Sequence, residues 1–225
     1  MNNLKEVLED ISATTTLDLN KIDVKIIDSK NGIVYRLEDE EKKYYALKCY
    51  RDTKEANIRC NNEWSFLSHS KKCLIESVPR PIAKDAKSRW ILMEWKEGEK
   101  IEKWNKSVTK EMVDFICNLN KKENLNKTIE ITNARDSCKT IYSIVDDVNK
   151  RLEKLRKICP RNKLEREISI WLEKEMKLDV LKLSKELLDK RAMKHWLSLK
   201  KDRIISPSDV GIHNILKKDN KYYFI

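Results

Sequence analysis

Asp209 and Asn214 stand five residues apart in the stretch SPSDVGIHNIL, residues 206–216, with Gly211 and His213 between them. A carboxylate so placed can accept or orient the proton of a hydroxyl. An amide oxygen a few residues on can hold a hard cation such as magnesium, which prefers oxygen ligands. An Asp and an Asn at this spacing occur by chance in many chains. Here the pair follows an apolar doublet and precedes an apolar hairpin pattern, and that context gives it weight.

Two further charged residues lie among apolar ones. Lys48 sits in YYALKCY, where alternation puts Tyr45, Leu47 and Cys49 on one face and Ala46, Lys48 and Tyr50 on the other. Such a lysine is either solvated at a sheet edge or a phosphate ligand paired to a carboxylate. Glu63 in NNEWSFL belongs to the next expected helix, beside Trp64 and Phe66, which must pack. A strand lysine and a glutamate from the following helix can form an ion pair that aims the lysine at nucleotide phosphates. The run ILMEWKEG ends an apolar strand at Met93, Glu94 and Trp95 and breaks at Gly98. It reads either as a core strand with its turn or as a connection whose backbone groups face a planar ring.

The elements that must position these residues follow from periodicity. Residues 3–11 form an amphipathic helix pattern, with Leu4, Val7, Leu8 and Ile11 on one side. Strands are expected over 23–27, 32–38 and 43–50, and a helix over TKEANIRCNNEWSFLSHS. The two prolines of ESVPRPIA make an extended connection, and SRWILMEW a buried strand. Helices are then expected over 107–120, 139–158, 163–176 and 179–198, with Pro160 stopping the second of these. A short strand at Ile204–Ile205 leads into the Asp209 segment. A hairpin follows, with strands 214–217 and 222–225 around a turn near Asp219 and Asn220. No internal repeat is visible.

Composition sets the limits. The 225 residues are 40% hydrophobic and 38% charged, and three glycines are too few for an all-β fold rich in tight turns. The net charge of +11 attracts anions, but acids interleave with the lysines along the chain, as on solvated helix faces. No base-reading motif accompanies the charge, so no nucleic acid partner is expected. The six cysteines, Cys49, Cys60, Cys73, Cys117, Cys138 and Cys159, have no CxxC spacing. They read as reduced, buried thiols of a cytoplasmic protein. MNNLKEVLEDIS lacks an apolar leader core, and no apolar run reaches the roughly 18 residues of a membrane span.

In order, YYALKCYR, NEWSFL, RWILMEWKEGE and ISPSDVGIHNIL resemble the aminoglycoside phosphotransferase family. The resemblance runs from about residue 22 to the end and implies an α+β, protein-kinase-like two-lobed fold. A β-rich nucleotide-binding lobe (1–93), a hinge (94–98) and a mainly helical lobe (99–225) with a catalytic loop at 206–216 would follow. It implies ATP and Mg2+ as cofactors and a small hydroxyl-bearing acceptor. Lys48 would contact the α- and β-phosphates, paired by Glu63. Glu94, Trp95 and Lys96 would form the adenine hinge. Asp209 would act on the acceptor hydroxyl, and Asn214 would bind magnesium. The turn SKNGIV, at Gly32, would cover the phosphates.

Three departures accompany the resemblance. Pro207 stands where the family has a histidine two residues before its catalytic aspartate, and His213 is expected to serve the loop structurally. The phosphate-covering turn has one glycine. The family's counterpart of YYFI is followed by a second, magnesium-binding aspartate, whereas this sequence stops at Ile225. The expectation is therefore a truncated form. The alternative to an active phosphotransferase is a catalytically impaired nucleotide-binding protein or fragment.

Overall fold

A computed structural model describes residues 4–17, 25–29, 32–127, 131, 140–189, 204–207 and 209–225 of the chain, with residues 25–29 described by backbone alone. The chain forms two units, residues 1–134 with 205–225, and residues 135–204.

The first unit is built on a five-stranded sheet. Its strands are β1 (Lys25–Ser29), β2 (Gly32–Glu38), β3 (Tyr44–Cys49), β4 (Pro81–Lys84) and β5 (Trp90–Glu94). The spatial order is β1-β2-β3-β5-β4, and every neighbouring pair is antiparallel. Period-two alternation divides the side chains between two cores. Tyr35, Leu37, Leu47, Trp90 and Leu92 pack with Val7 and Ile11 of α1 (Leu4–Thr14). Asp10 of α1 accepts a hydrogen bond from the Trp90 indole at 3.1 Å. Ala46, Tyr50, Ile91 and Met93 pack with Ala56, Cys60 and Leu67 of α2 (Lys54–Lys72). Thr53 caps α2, its hydroxyl accepting from the Ala56 amide.

ESVPRPIA does more than connect. Its last residues form β4, which pairs with β5 across an irregularity between Pro81 and Ala83. Proline is tolerated there as the first residue of an edge strand. After β5 the chain crosses residues 95–98 without regular structure and enters β6 (Glu99–Lys100). Gly98 permits this crossing, because a Cβ there would stand 2.9 Å from Leu216 Cβ and 3.0 Å from the Lys217 carbonyl oxygen. β6 pairs with β7 (Ile215–Lys218), and β7 with β8 (Lys221–Phe224). The β7–β8 turn is Asp219-Asn220, with φ of 48° and 62°. Two left-handed residues of these types suit the tight two-residue hairpin turn. α3 (Lys106–Leu119), capped by Asn105, and the short α4 (Lys122–Leu125) complete the unit. Phe115 of α3 stacks on Phe224 of β8 with centroids 4.1 Å apart, fastening the hairpin to the helix.

The second unit contains α5 (Ile141–Arg156), opened by a Thr140–Ser143 capping box. α6 (Lys163–Trp171), a π-helical turn (Leu172–Met176) and α7 (Lys177–Asp189) follow as one continuous helical run. Leu152, Leu172 and Val180 form its buried core, with Met176 against them.

Several expectations are corrected. No break separates helices at 177–178, because the π turn absorbs the change of phase. Residues 190–198 of the expected last helix lie outside the described residues, as do residues 23–24 of the first strand. Ile204–Ile205 is not a strand: the Asn120 side chain takes the Ile205 N–H at 2.7 Å and donates to its carbonyl at 2.9 Å. One side-chain amide thus satisfies the backbone groups that a strand neighbour would have used. Cys117 and Cys159 are exposed rather than buried, Cys49 is half-buried, and Cys60 and Cys73 are buried. Cys138 lies outside the described residues. No helix among the described residues is long and apolar enough to cross a membrane.

Candidate active site

Lys48 lies near the end of β3, opposite Val34 on one side and Ile91 on the other. It is therefore on a central strand, not at a solvated edge. Its ammonium reaches Glu63 of α2, with Nζ 2.6 Å from Oε2 and 2.9 Å from Oε1. Both side chains keep roughly a quarter of their surface exposed, 23% and 29%. A cation held by one carboxylate and still open to solvent can also face an anion. Tyr50 adds a contact that the reading of single residues did not anticipate: its hydroxyl donates to Glu63 Oε2 at 2.7 Å. The signal was present, since strand alternation places Tyr50 on the same face as Lys48. Burial pushes the thiols of neighbouring Cys49 and Cys60 up to about 12, which disfavours the thiolate form.

Gly32 opens β2 beside this pair. A Cβ on it would lie 2.5 Å from the Cys49 carbonyl oxygen, so only glycine fits this close approach of strands. Lys30 and Asn31 of the SKNGIV turn lie outside the described residues.

The 94–96 segment is held on both sides. The Glu94 amide donates to the Arg80 carbonyl at 2.9 Å and the Trp95 amide to the Tyr44 carbonyl at 3.2 Å. The Lys96 amide has no hydrogen-bond partner among the described residues. The Lys96 side chain, 11% exposed, pairs with Glu94 Oε1 at 3.0 Å and lies over the Tyr223 ring at 5.1 Å. Trp95 is steered by Glu97, which accepts from its indole at 2.7 Å and pairs with Arg36 at 3.2 Å. The Arg36 guanidinium stacks over Tyr44 at 3.8 Å and faces Trp95 at 5.5 Å. Single-residue reading missed Arg36 and Glu97, which lie 61 positions apart.

Asp209, Gly211, His213 and Asn214 form a second cluster. A 3-10 turn (Ile212–Asn214) folds the segment back on itself. His213 Nε2 lies 3.3 Å from Asp209 Oδ2, with both side chains 66% exposed. His213, expected to serve the loop structurally, thus contacts the Asp209 side chain within the loop. The Asn214 side-chain Nδ2 donates to the Asp209 carbonyl at 3.1 Å. That bond leaves Asn214 Oδ1 without a partner among the described residues. The Asn214 carbonyl accepts from the Ile225 amide at 2.9 Å, tying the loop to the end of β8.

The sequence-derived residues thus fall into two contacting sets, Lys48 with Glu63 and Asp209 with Asn214. The Lys96–Tyr223 contact links the 94–96 segment to the hairpin that the second set opens. No group of three His, Cys, Asp or Glu side chains suited to a metal occurs among the described residues. Asn214 Oδ1 is a hard oxygen donor. Magnesium commonly uses one or two protein oxygens together with waters and substrate phosphates, so a single such oxygen fits a phosphate-bound ion rather than an all-protein cage.

No protein-family profile and no curated protein sequence matches the chain. Solved structures do. The gentamicin-APH(2")-IIa complex aligns over 99% of this chain and 69% of its own, with a TM-score of 0.61 and 14% identity. The Plasmodium vivax ethanolamine kinase aligns over 99% of this chain and 60% of its own, with a TM-score of 0.60 and 13% identity. The choline kinase of Cryptosporidium parvum Iowa II aligns over 99% and 63%, with a TM-score of 0.58 and 14% identity. At such identities the likeness is one of fold. The chain has the kinase-like α+β fold common to aminoglycoside phosphotransferases, macrolide phosphotransferases and choline and ethanolamine kinases.

Proposed function

We propose that this protein binds ATP and transfers its γ-phosphoryl group to a hydroxyl of a small molecule. The observation that carries the reading is the Lys48–Glu63 pair, a strand lysine held by a carboxylate from the next helix within a kinase-like fold. Lys48 contacts the α- and β-phosphates, and Glu63 keeps its ammonium in place. The backbone at Glu94, Trp95 and Lys96 meets the adenine, with the Lys96 amide, which has no partner among the described residues, as donor, and residues 94–98 are the hinge between lobes at 1–93 and 99–225. Asp209 accepts or orients the proton of the acceptor hydroxyl, and its exposure leaves it open to an incoming molecule. Asn214 Oδ1 is the oxygen for magnesium, which when bound neutralises charge on the phosphates. The neighbours' acceptors, among them gentamicin and ethanolamine, are chemically diverse, and the acceptor here is defined only as a hydroxyl compound.

The test is calorimetric titration of the chain with Mg-ATP, followed by phosphate-transfer assays over a panel of amino alcohols, sugars and aminoglycosides. Lys48→Met should weaken nucleotide binding at least tenfold, a loss of about 1.4 kcal/mol. Asp209→Asn should leave binding intact and lower turnover by about 10²-fold or more. A wild-type chain that does not bind Mg-ATP would sink the reading. Unchanged turnover in Asp209→Asn would remove that residue from the chemistry.

A further inference from the structure

Tyr50 follows β3 and meets Glu63 as closely as Lys48 does. Its hydroxyl donates to Glu63 Oε2 at 2.7 Å, and Lys48 Nζ lies 2.6 Å from the same oxygen. The Tyr50 ring lies 5.6 Å below the Lys48 ammonium. Tyr50 is itself fixed: it is 6% exposed, packs in the main core and donates its amide to the Arg89 carbonyl at 2.7 Å. Burial, then the charge of Glu63, pushes its phenol well above the ordinary value, so the hydroxyl remains a donor across all working pH. Glu63, by contrast, is a long side chain on a helix face with 29% of its surface exposed. Held by Lys48 alone, it could rotate and carry the ammonium with it. A second donor from a rigid ring removes that freedom.

We propose that Tyr50 is a positioning residue, whose hydroxyl pins the Glu63 carboxylate and through it holds the Lys48 ammonium at one place on the sheet face. The consequence for nucleotide affinity rests on the function proposed above; the consequence for Lys48 itself does not.

Tyr50→Phe keeps the ring and removes only the hydroxyl. The first measurement uses no nucleotide: the rate at which an acetyl N-hydroxysuccinimide ester modifies Lys48, followed by mass spectrometry with Lys96 as internal reference. Loosening the pair should raise the Lys48 rate by roughly threefold or more while Lys96 is unchanged, as expected when one charge-assisted hydrogen bond is lost. Placing 4-aminophenylalanine at position 50 restores a donor and should return the rate toward wild type, which a purely packing role would not do. An unchanged Lys48 rate in Tyr50→Phe, or no rescue by the amine, overturns the proposal. The second measurement is Mg-ATP affinity, expected to fall roughly tenfold in Tyr50→Phe but no further when Tyr50→Phe is added to Glu63→Ala. Additive losses would mean that Tyr50 acts by packing, and would also overturn it. A wild-type chain that binds no Mg-ATP would remove the phosphotransferase reading, and the acylation rates would still decide the role of Tyr50.

Discussion

Single charges in this molecule matter according to what surrounds them. Asp85, at the β4–β5 turn, is 4% exposed and accepts from the Arg89 guanidinium at 2.6 Å and from the Lys87 and Arg89 amides. Burial pushes its carboxyl up, but these donors outweigh burial and hold it below the ordinary carboxylate value. A carboxylate with a depressed folded value adds stability that is fully present above its unfolded value. That stability is lost as pH falls through the folded one. Asp85→Asn should therefore lower the unfolding free energy at neutral pH by an amount on the order of 1.5–3 kcal/mol, the worth of hydrogen bonds to a charged group. The deficit should shrink as the pH is taken below about 4, near the carboxylate reference value. Urea titrations at pH 7 and pH 3.5 would check both points. Lys48 and Glu63 were legible from their neighbours because a strand pattern and a helix pattern each carry one of them. Arg36 and Glu97 were not, because nothing local in either stretch announces a partner 61 residues away.

At the scale of elements, the sequence was most readable where local chemistry and tertiary need agree. β2 spans 32–38 as its alternation predicts, and the Asp219-Asn220 turn uses residues that tolerate positive φ. The readable signal failed where a distant side chain or a change of helical phase decided the outcome. Asn120 takes over the backbone of Ile205, and the π turn joins α6 to α7 without a breaker. Helix α2 carries Glu63, so its start matters to the site. Thr53→Ala removes the hydroxyl that caps the Ala56 amide and should cost about 1 kcal/mol of stability. Thermal unfolding of the variant beside Thr53→Ser, which retains the cap, would show whether the hydroxyl is the cause.

For the molecule as a whole, His69 is an internal brake on acid stability. It is fully buried in α2, with Nε2 3.5 Å from Cys73 Sγ. Desolvation first, then the charge of Lys72, lowers its value below the ordinary 6.5. The folded protein therefore holds it neutral over a range where the unfolded chain is protonated. Stability is complete above about pH 6.5 and falls as pH drops toward the folded value. Denaturant midpoints measured between pH 7.5 and 5 should show this decline, and His69→Leu should flatten it. The kinase-like architecture was legible from the order of its motifs. The split into units at 134 and 205 was not, because no change of composition marks either point.

The Asn120–Ile205 bridge also orders events in time. Its partners are 85 residues apart, and the intervening chain includes the whole of α5 to α7. On a ribosome delivering the chain from its N-terminus, the β-sheet, α2 and the Lys48–Glu63 pair can assemble while the rest is still being made. The Asp209–Asn214 loop and the β7–β8 hairpin must wait until the helices between have been synthesised, and they then close a long loop at an entropic cost. The Lys48–Glu63 pair is thus free to form early, and the Asp209–Asn214 loop only after α5 to α7 have been made.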